Sequence, residues 1–284
     1  MLRKGGERTG NGRRKTLEVM SNDLHVTLVQ TKIHWQAPEE NLDWFGSRLE
    51  QLFGKTDLII LPEMFTTGFS MEPGKFAEKT EGRAMQWMQD MASKYQAAVV
   101  GTLMMEERGA YYNRAVWMLP NGTYFFYDKR HLFRMAGEQN HYKQGEKRLI
   151  FEYKGWNICP LICYDLRFPV WSRNRILGGS YEYDLLIYMA NWPEKRSFAW
   201  KSLLIARAIE NQSFVAGINR VGNDGNGVMY SGDSVILDYT GEKISRTERF
   251  GDRVETVALK KTALLDFRAQ FPAGMDADRF VIEQ

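Results

Sequence analysis

The sequence has little of what several classes of protein require. Its two cysteines, Cys159 and Cys163, are too few for a disulfide framework, and no nearby CxxC motif or histidine pair makes them a structural zinc site. No apolar run is long enough to cross a membrane, and none fits the apolar core of a signal peptide. These absences exclude a disulfide-rich secreted domain, a zinc finger and a membrane-spanning protein, and they favour a reducing, cytoplasmic setting.

An excess of charge of one sign is also missing. The chain has 38 lysines and arginines against 35 aspartates and glutamates, which gives a net charge of +3. That balance is too even to indicate nucleic acid or an anionic membrane as the main partner. Residues 1–19 contain six basic and two acidic residues, so this stretch carries +4 and the remaining 265 residues carry −1. We predict that residues 1–22 are a disordered basic leader and that residues 23–284 form a single domain.

From Leu24 onward, short β-rich runs alternate with amphipathic segments, which is typical of an α/β fold. Strands are predicted at 24–31, 57–63, 97–103, 184–191 and 253–259, with hairpin turns at Asn121-Gly122, Lys154-Gly155 and Thr240-Gly241. Apolar residues at helical spacing mark a first helix through Leu42, Phe45, Leu49 and Leu52. Further helices are predicted at 82–95, where methionines fill the core, from Pro169 to Leu177, and from about Arg196 to Asn211. The residues from Lys261 onward are predicted to leave the body as an arm.

Four apolar strands end in polar residues that could act together: Glu63, Lys129, Cys163 and Asn191. Ligand sites of α/β sheets lie at strand ends, because rigid strands bring side chains from distant positions into one crevice. A thiol is a good nucleophile only as the thiolate, so Cys163 needs a base such as Glu63. Lys129 would stabilise the thiolate and an oxyanion formed from an attacked carbonyl. Taken singly, a cysteine of this kind is usually a small buried hydrophobic residue, and a glutamate or lysine at a strand end is usually a solvated charge.

Three blocks of sequence decide between these interpretations. LPEMF around Glu63, YDKRHLF around Lys129 and CYDLRFP around Cys163 resemble the signature blocks of the nitrilase, or carbon-nitrogen hydrolase, superfamily in order and approximate spacing. The resemblance runs from about residue 23 to about residue 280. LPEMFTTGFSM and the ANWP of residues 190–193 are most similar to the omega-amidase branch, which hydrolyses the terminal amide of 2-oxoglutaramate and 2-oxosuccinamate.

The resemblance implies a four-layer α-β-β-α sandwich that forms a homodimer and carries a triad of Glu63, Lys129 and Cys163. It also implies a second glutamate, matched here by Glu138, for which a surface charge is the alternative. We hypothesise that Cys163 attacks the amide carbonyl, that Glu63 transfers protons, and that a thioester is then hydrolysed. Lys129 and the backbone N–H of Tyr164 would hold the oxyanion, and Glu138 would orient Lys129 and the substrate. No metal or organic cofactor enters this mechanism.

Recognition of a 2-oxo acid requires a cation for its carboxylate, and a guanidinium matches a carboxylate with two parallel hydrogen bonds. Arg167, four residues after Cys163, is the best candidate, and an ion pair with Asp165 is the alternative. Trp192 would wall the pocket, although packing in the core or in a dimer interface is equally compatible with the sequence. His131 is predicted to pack rather than to react. A solvated basic face is predicted for Lys195, Arg196 and Arg173.

The sequence thus predicts a hydrolase of linear amide C–N bonds, and three alternatives stay open. Another superfamily member, such as an N-carbamoyl amide hydrolase or a true nitrilase, would share the triad but lack a cation for a 2-oxo acid. A thiol protease would need a histidine base, and no histidine block in the chain resembles one. A non-catalytic binding member of the same fold is the third alternative.

Overall fold

The computed structural model describes residues 23–50, 52 and 54–282, so the predicted basic leader, residues 1–22, lies outside the described residues. The strands are β1 (Leu24–Gln30), β2 (Leu58–Ile60), β3 (Ala98–Glu107), β4 (Ala110–Met118), β5 (Tyr124–Asp128), β6 (Phe151–Tyr153), β7 (Trp156–Ile162), β8 (Ile176–Leu177), β9 (Ser180–Tyr181), β10 (Leu185–Ala190), β11 (Phe214–Asn219), β12 (Val221–Asn223), β13 (Met229–Ser231), β14 (Val235–Leu237) and β15 (Arg253–Leu259). The α-helices are α1 (Pro38–Leu49), α2 (Pro73–Phe76), α3 (Arg83–Tyr95), α4 (Pro169–Ser172), α5 (Ser197–Asn211) and α6 (Lys261–Gln270).

Two mixed sheets form the body. The first has the strand order β15-β1-β2-β3-β4-β5, and the second has the order β14-β11-β10-β7-β6. The central strands are parallel, β1, β2 and β3 in the first sheet and β7, β10 and β11 in the second. The outer strands pair antiparallel with their neighbours. The carboxyl ends of the parallel strands in each sheet therefore share one edge, which is where polar side chains follow them.

Side chains that alternate along the strands build an α-β-β-α order of layers, as the resemblance implies. Val26 of β1 packs in the cluster shared with the second sheet, whereas Val29 packs in the cluster shared with α1 and α3. On the outer side of the second sheet, α5 lies close to β11 at Gly217. A Cβ at that glycine would lie 2.6 Å from a methyl carbon of Leu204 and 3.0 Å from the ring of Trp200. The absence of a side chain at Gly217 thus allows the close approach of helix and strand.

The helices follow the predicted apolar faces. Leu42, Phe45 and Leu49 are buried on α1, which begins at a proline, the residue whose fixed φ suits the first helical position. Met85 and Met88 are buried on α3, which confirms that these methionines fill the core. None of the helices in the described ranges combines the length and the apolar character that a membrane crossing requires.

The helix predicted from Pro169 to Leu177 is wrong beyond Ser172, where α4 ends. The side chain of Asn174 donates hydrogen bonds to two backbone carbonyl oxygens of neighbouring segments, at 2.9 and 3.0 Å, and this holds the chain in a non-helical path. Gly178 and Gly179 then adopt φ angles of 57° and 80°, the left-handed conformation that closes the β8-β9 hairpin. These tertiary contacts override the local helical pattern.

The expectation that the chain leaves the body from Lys261 onward is wrong for α6. Leu264 of this helix is buried against the main core. Arg268 Nη1 donates to Asp184 Oδ1 at 2.9 Å, and Lys261 Nζ donates to Asp184 Oδ2 at 2.8 Å. One nearly buried carboxylate that precedes β10 therefore ties α6 to the second sheet, and a sequence pattern cannot reveal such a long-range ion pair.

Candidate active site

Polar side chains that follow four strands meet at one edge of the sandwich. Glu63 lies just after β2, Lys129 follows β5, Cys163 follows β7 and Asn191 follows β10. Lys129 Nζ donates to Glu63 Oε1 at 2.8 Å, and the backbone N–H of Asn191 donates to Glu63 Oε2 at 2.8 Å. Cys163 Sγ lies 3.9 Å from the carbonyl oxygen of Asn191. The structure therefore brings together all four strand-end residues that the sequence predicted to share a crevice.

Lys129 lies between two carboxylates, and its side chain and both partners are fully buried. Its Nζ donates to both oxygens of Glu138 at 3.0 Å as well as to Glu63. Burial opposes the charged form of Lys129, but the nearby charges of Glu138 and Glu63 outweigh it and raise its pKa. Burial also raises the pKa of Glu138, with Lys129 acting against the rise. Glu138 is thus a buried partner of the lysine and not the surface charge that was its alternative.

Cys163 sits at a sharp turn between β7 and a short 3-10 helix, Cys163–Arg167. Its φ is 41°, in the left-handed region that non-glycine residues rarely adopt, which is characteristic of functional sites. Burial raises the pKa of the thiol well above its ordinary value, Glu63 raises it further, and Lys129 opposes the rise. The resting cysteine is therefore a neutral thiol at neutral pH, and a base must take its proton during attack.

Asp165 holds the turn that carries Cys163. Its Oδ2 accepts hydrogen bonds from the backbone N–H of Ile162 at 3.0 Å and from the hydroxyl of Tyr127 at 2.7 Å. Its Oδ1 accepts from the backbone N–H of His131 at 3.0 Å and lies 2.8 Å from the ring Nδ1 of the same residue. The imidazole also stacks on Phe168 with the ring centroids 3.7 Å apart, which confirms that His131 packs. Within the described part of the chain, no cluster of His, Cys, Asp or Glu side chains is arranged to hold a metal ion.

Sequence reasoning missed Asn113, which lies in β4 and is fully buried. Its Nδ2 donates to Glu63 Oε1 at 2.8 Å and to Glu138 Oε1 at 3.1 Å, and its Oδ1 accepts from Thr102 Oγ1 at 2.9 Å. A single amide therefore fixes the spacing of the two carboxylates around the lysine. The only signal in the sequence was a lone asparagine at the start of the apolar run NRAVWMLP, and such a residue is equally compatible with a strand end.

A cavity of about 810 Å³ opens above Cys163, and Tyr164, Arg167 and Trp192 all line it. The guanidinium carbon of Arg167 lies 4.9 Å from the centre of the Trp192 ring. Arg167 forms no ion pair with Asp165, whose oxygens accept hydrogen bonds from other groups. The structure therefore favours a place for Arg167 at the cavity over the ion-pair alternative. Trp192 is almost fully buried, and its ring supports a cation at the cavity wall.

Lys195 is exposed, as the predicted solvated face requires, although it also borders the cavity; the prediction is wrong for Arg196, which is half-buried and lines the same cavity. They lie in a 3-10 turn, Glu194–Arg196, that leads from the end of β10 into α5. Arg173 points elsewhere and donates to the backbone carbonyl of Glu210 at 2.7 Å. The sequence does not reveal which of these basic side chains face the cavity, because the direction of each depends on the backbone of the turn and of the helix that follows it.

Alkylation of the two cysteines should distinguish their environments. Iodoacetamide is expected to modify Cys163, which borders the cavity, and not Cys159, which has no exposed surface. Because the pKa of Cys163 is raised, its thiolate fraction and thus its alkylation rate should rise about tenfold per pH unit from pH 6 to 9. Mass spectrometry of the modified protein measures both site and rate. A rate that levels off below pH 7, or preferential labelling of Cys159, would contradict this assignment.

Comparison with known proteins adds a decisive match. Residues 25–265 match the model of the carbon-nitrogen hydrolase family. The chain belongs to the carbon-nitrogen hydrolase family. This hydrolase is 46% identical over 257 residues to the omega-amidase YafV of Escherichia coli strain K12, across 90% of this chain and 98% of that protein. It is 33% identical over 227 residues to the 2-oxoglutaramate amidase of Bacillus subtilis, across 79% of this chain and 86% of that protein.

Solved structures agree with this family membership. The hydrolase matches XC1258 of Xanthomonas campestris, a CN-hydrolase superfamily protein with an arsenic adduct in its active site, with a TM-score of 0.90 and 45% identity over 92% of this chain and 99% of that one. It matches Saccharomyces cerevisiae Nit3, a member of branch 10 of the nitrilase superfamily, with a TM-score of 0.78 and 23% identity over 88% and 94% of the two chains, which supports the fold alone. The superfamily, the sandwich fold and the class of C–N hydrolase that the sequence predicted are confirmed.

Proposed function

We propose that this carbon-nitrogen hydrolase releases ammonia from the ω-amide of a 2-oxo acid, such as 2-oxoglutaramate or 2-oxosuccinamate, through a thioester on Cys163. The observation that carries the proposal is the buried Lys129, held between Glu63 and Glu138 beside a thiol that borders the cavity. This arrangement offers a nucleophile, a base and a fixed positive charge within one site. The names of the relatives, omega-amidase and 2-oxoglutaramate amidase, support the substrate class.

In the first half of the reaction, Glu63 takes the proton of the Cys163 thiol while the sulfur forms a bond to the amide carbon. The carbonyl oxygen becomes an oxyanion, which Lys129 and the backbone N–H of Tyr164 stabilise. Lys129 stays protonated, because two buried carboxylates favour its charged form. Glu63 then gives its proton to the nitrogen, the C–N bond breaks, and ammonia leaves the thioester behind.

In the second half, a water molecule replaces the ammonia and attacks the thioester carbon. Glu63 accepts a proton from the water, and the same two donors stabilise the second oxyanion. When the C–S bond breaks, the proton returns to the sulfur of Cys163 and the carboxylic acid product is released. Glu138 transfers no proton in this scheme, and its role is to hold Lys129 through two hydrogen bonds.

Arg167 provides the second contact that a 2-oxo acid requires. Its guanidinium is exposed at the cavity and lies against Trp192, so it is free to form two parallel hydrogen bonds to the carboxylate at the far end of the substrate. Trp192 limits the directions in which this guanidinium can move. The carboxylate is thereby held at one end of the cavity while the amide lies over Cys163.

A panel of four substrates tests the proposal. Ammonia release should be fastest from 2-oxoglutaramate and 2-oxosuccinamate, with kcat/KM about a hundredfold or more above that for an N-carbamoyl amino acid or a simple aliphatic nitrile. The reason is that only the 2-oxo acid amides combine a carbon-bound terminal amide, a 2-oxo group and a carboxylate. The N-carbamoyl amino acid has a less electrophilic ureido group and no 2-oxo group, and the nitrile has no carboxylate. A coupled assay for ammonia measures all four.

A different order of kcat/KM among the four substrates would point to a different function. A higher kcat/KM for the N-carbamoyl amino acid or for the nitrile would assign the enzyme to another branch of the superfamily. Failure of all four substrates, together with a Cys163 that does not react with an electrophilic substrate analogue, would favour a binding protein with this fold. Either result would reject the proposed 2-oxo acid amidase.

We also propose that residues 23–284 act as one hydrolase domain, in the cytoplasm and as a homodimer. Support for the dimer comes from the outer face of α5, where Phe198 is 82% exposed and Ile209 is 52% exposed. Exposed apolar side chains on one helix face favour burial against a second copy. Support for a reducing compartment comes from the two cysteines, which are both free thiols.

A further inference from the structure

The cavity above Cys163 is lined by charged side chains of both signs, which differ in how they are paired. Three cations line it, Arg167, Lys195 and Arg196, and within the described residues none of them has a carboxylate at ion-pair distance. Three carboxylates line it as well. Glu194 forms an ion pair with Arg249, whereas Glu72 accepts from the neutral amide of Gln36 and Asp224 from the neutral hydroxyl of Tyr230. The cations without an ion-pair partner, and not the total charge of the lining, therefore distinguish this cavity, and their N–H groups are available to a ligand.

Arg196 is held through both its side chain and its main chain. Its guanidinium carbon lies 5.3 Å from the centre of the Phe133 ring. The backbone N–H of Phe133 donates to Glu138 Oε2 at 2.6 Å, and the same oxygen accepts from Lys129 at 3.0 Å. The backbone of Arg196 is held too, because its carbonyl oxygen accepts from the indole N–H of Trp192 at 2.9 Å. The side chain and the main chain of Arg196 are thus both tied to the site.

Two guanidinium groups at one cavity exceed what a single carboxylate needs. A carboxylate is satisfied by one planar fork, which Arg167 supplies in the proposed function. A 2-oxo acid has a further acceptor, the carbonyl oxygen on the carbon next to the carboxylate. The corresponding 2-amino acid has an ammonium group at that carbon. This group is positively charged, as the arginine is, and it can only donate hydrogen bonds.

We propose that Arg196 is a specificity-determining residue that selects the 2-oxo acid amide over the corresponding 2-amino acid amide. This inference rests on the proposed function and adds the residue that recognises the substituent on the second carbon of the substrate. The guanidinium donates to the 2-oxo oxygen, and its positive charge repels an ammonium at the same position. The ring of Phe133 keeps the guanidinium in place while leaving its N–H groups available.

Three substrates of equal length separate this role from simple binding of the carboxylate. 2-Oxoglutaramate has the 2-oxo group, glutaramate has two hydrogens in its place, and L-glutamine has an ammonium group. For Arg196→Met, kcat/KM for 2-oxoglutaramate is expected to fall by about tenfold to a hundredfold, while that for glutaramate changes less than about threefold. The 2-oxoglutaramate to L-glutamine ratio of kcat/KM should fall by a similar factor. Ammonia release measures all three reactions.

Two further variants keep the test sharp. Arg196→Lys keeps the positive charge but not the planar fork. It should therefore still exclude L-glutamine, while the ratio of kcat/KM for 2-oxoglutaramate over glutaramate falls in part. This variant also replaces Arg196→Met in the test if the methionine variant fails to fold. Lys201→Met removes one positive charge from the exposed face of α5, outside the cavity, and should leave every ratio unchanged. An equal effect of Lys201→Met would mean that net charge, and not Arg196, sets the preference.

The outcomes for the inference and for the proposed function differ. If the wild-type enzyme hydrolyses 2-oxoglutaramate and Arg196→Met lowers the rates for 2-oxoglutaramate and glutaramate by the same factor, the inference is overturned and the proposed function stands. An unchanged 2-oxo preference in a folded Arg196→Met enzyme also overturns it. If the wild-type enzyme releases no ammonia from 2-oxo acid amides, the proposed function itself fails.

Discussion

Replacement of Cys163 by alanine is expected to lower ammonia release from 2-oxoglutaramate by about four orders of magnitude or more. In the proposed mechanism the thiol forms the bond to the amide carbon, and the structure places Glu63 and Lys129 around it as one unit. When one member of such a unit is removed, the others retain little catalysis. Single-turnover and steady-state assays of ammonia release measure the loss, and mass spectrometry should find no acyl adduct on Cys163→Ala.

Cys159→Ala is the matched control, because it removes the other thiol, four residues earlier in β7. Cys159 has no exposed surface, and burial raises its pKa to about 12, so it is an inert packing group. The variant should keep kcat within about threefold, and its cost should appear as a small loss in stability from the missing sulfur. Unchanged ammonia release in Cys163→Ala, or a collapse of turnover in Cys159→Ala, would overturn the covalent mechanism.

Replacement of Glu63 by glutamine should lower kcat by about a hundredfold to ten-thousandfold, because an amide cannot accept the proton of the thiol or of the attacking water. The variant is expected to fold, since Glu138 still gives Lys129 a buried carboxylate partner. Glu138→Gln is the matched control, with the same change of charge on the other side of the lysine. Its loss should be smaller, because Glu138 lies off the proton path. A larger loss in Glu138→Gln would exchange the two roles.

The same Glu63→Gln variant should change thiol reactivity in the opposite direction. The negative charge of Glu63 contributes to the raised pKa of Cys163, so its removal lowers that pKa while Lys129 continues to favour the thiolate. Alkylation by iodoacetamide at pH 7 should therefore become faster in a variant that has lost turnover. Slower alkylation together with slower turnover would indicate a disordered site and not the loss of a base.

Much of the site could be predicted, because its chemistry is concentrated in short sequence blocks. Glu63, Lys129 and Cys163 each follow an apolar strand, and parallel strands deliver such residues to one edge of a sheet. The apolar faces of α1 and α3 were equally readable, since helical spacing alone decides which side chains are buried. The predictions failed where contacts between distant residues decide the path of the chain, as at the end of α4 and in α6.

The hydrogen-bond network around the proposed catalytic residues was not predictable in the same way. No motif in the sequence around Asn113 marks it as the donor to both glutamates. One of them, Glu63, lies 50 residues away in the chain. Asp165 has an obvious sequence neighbour in Arg167 but receives its hydrogen bonds from Tyr127 and His131 instead. Hydrogen bonds between side chains depend on which atoms approach within about 3 Å, and that distance is a property of the assembled sheets.

The sequence by itself determined the superfamily and marked Cys163, Glu63 and Lys129 as the proposed nucleophile and its two charged partners, because three blocks of residues carry that chemistry. It also determined that the positive net charge comes from the first 19 residues and that the body carries −1. Only the tertiary structure decided which cations face the cavity. Arg196, assigned from sequence to a solvated face, lines the cavity because the turn after β10 and the start of α5 direct it toward Phe133. A side chain's direction follows from the backbone around it, and that backbone is set only when the two sheets and their helices pack together.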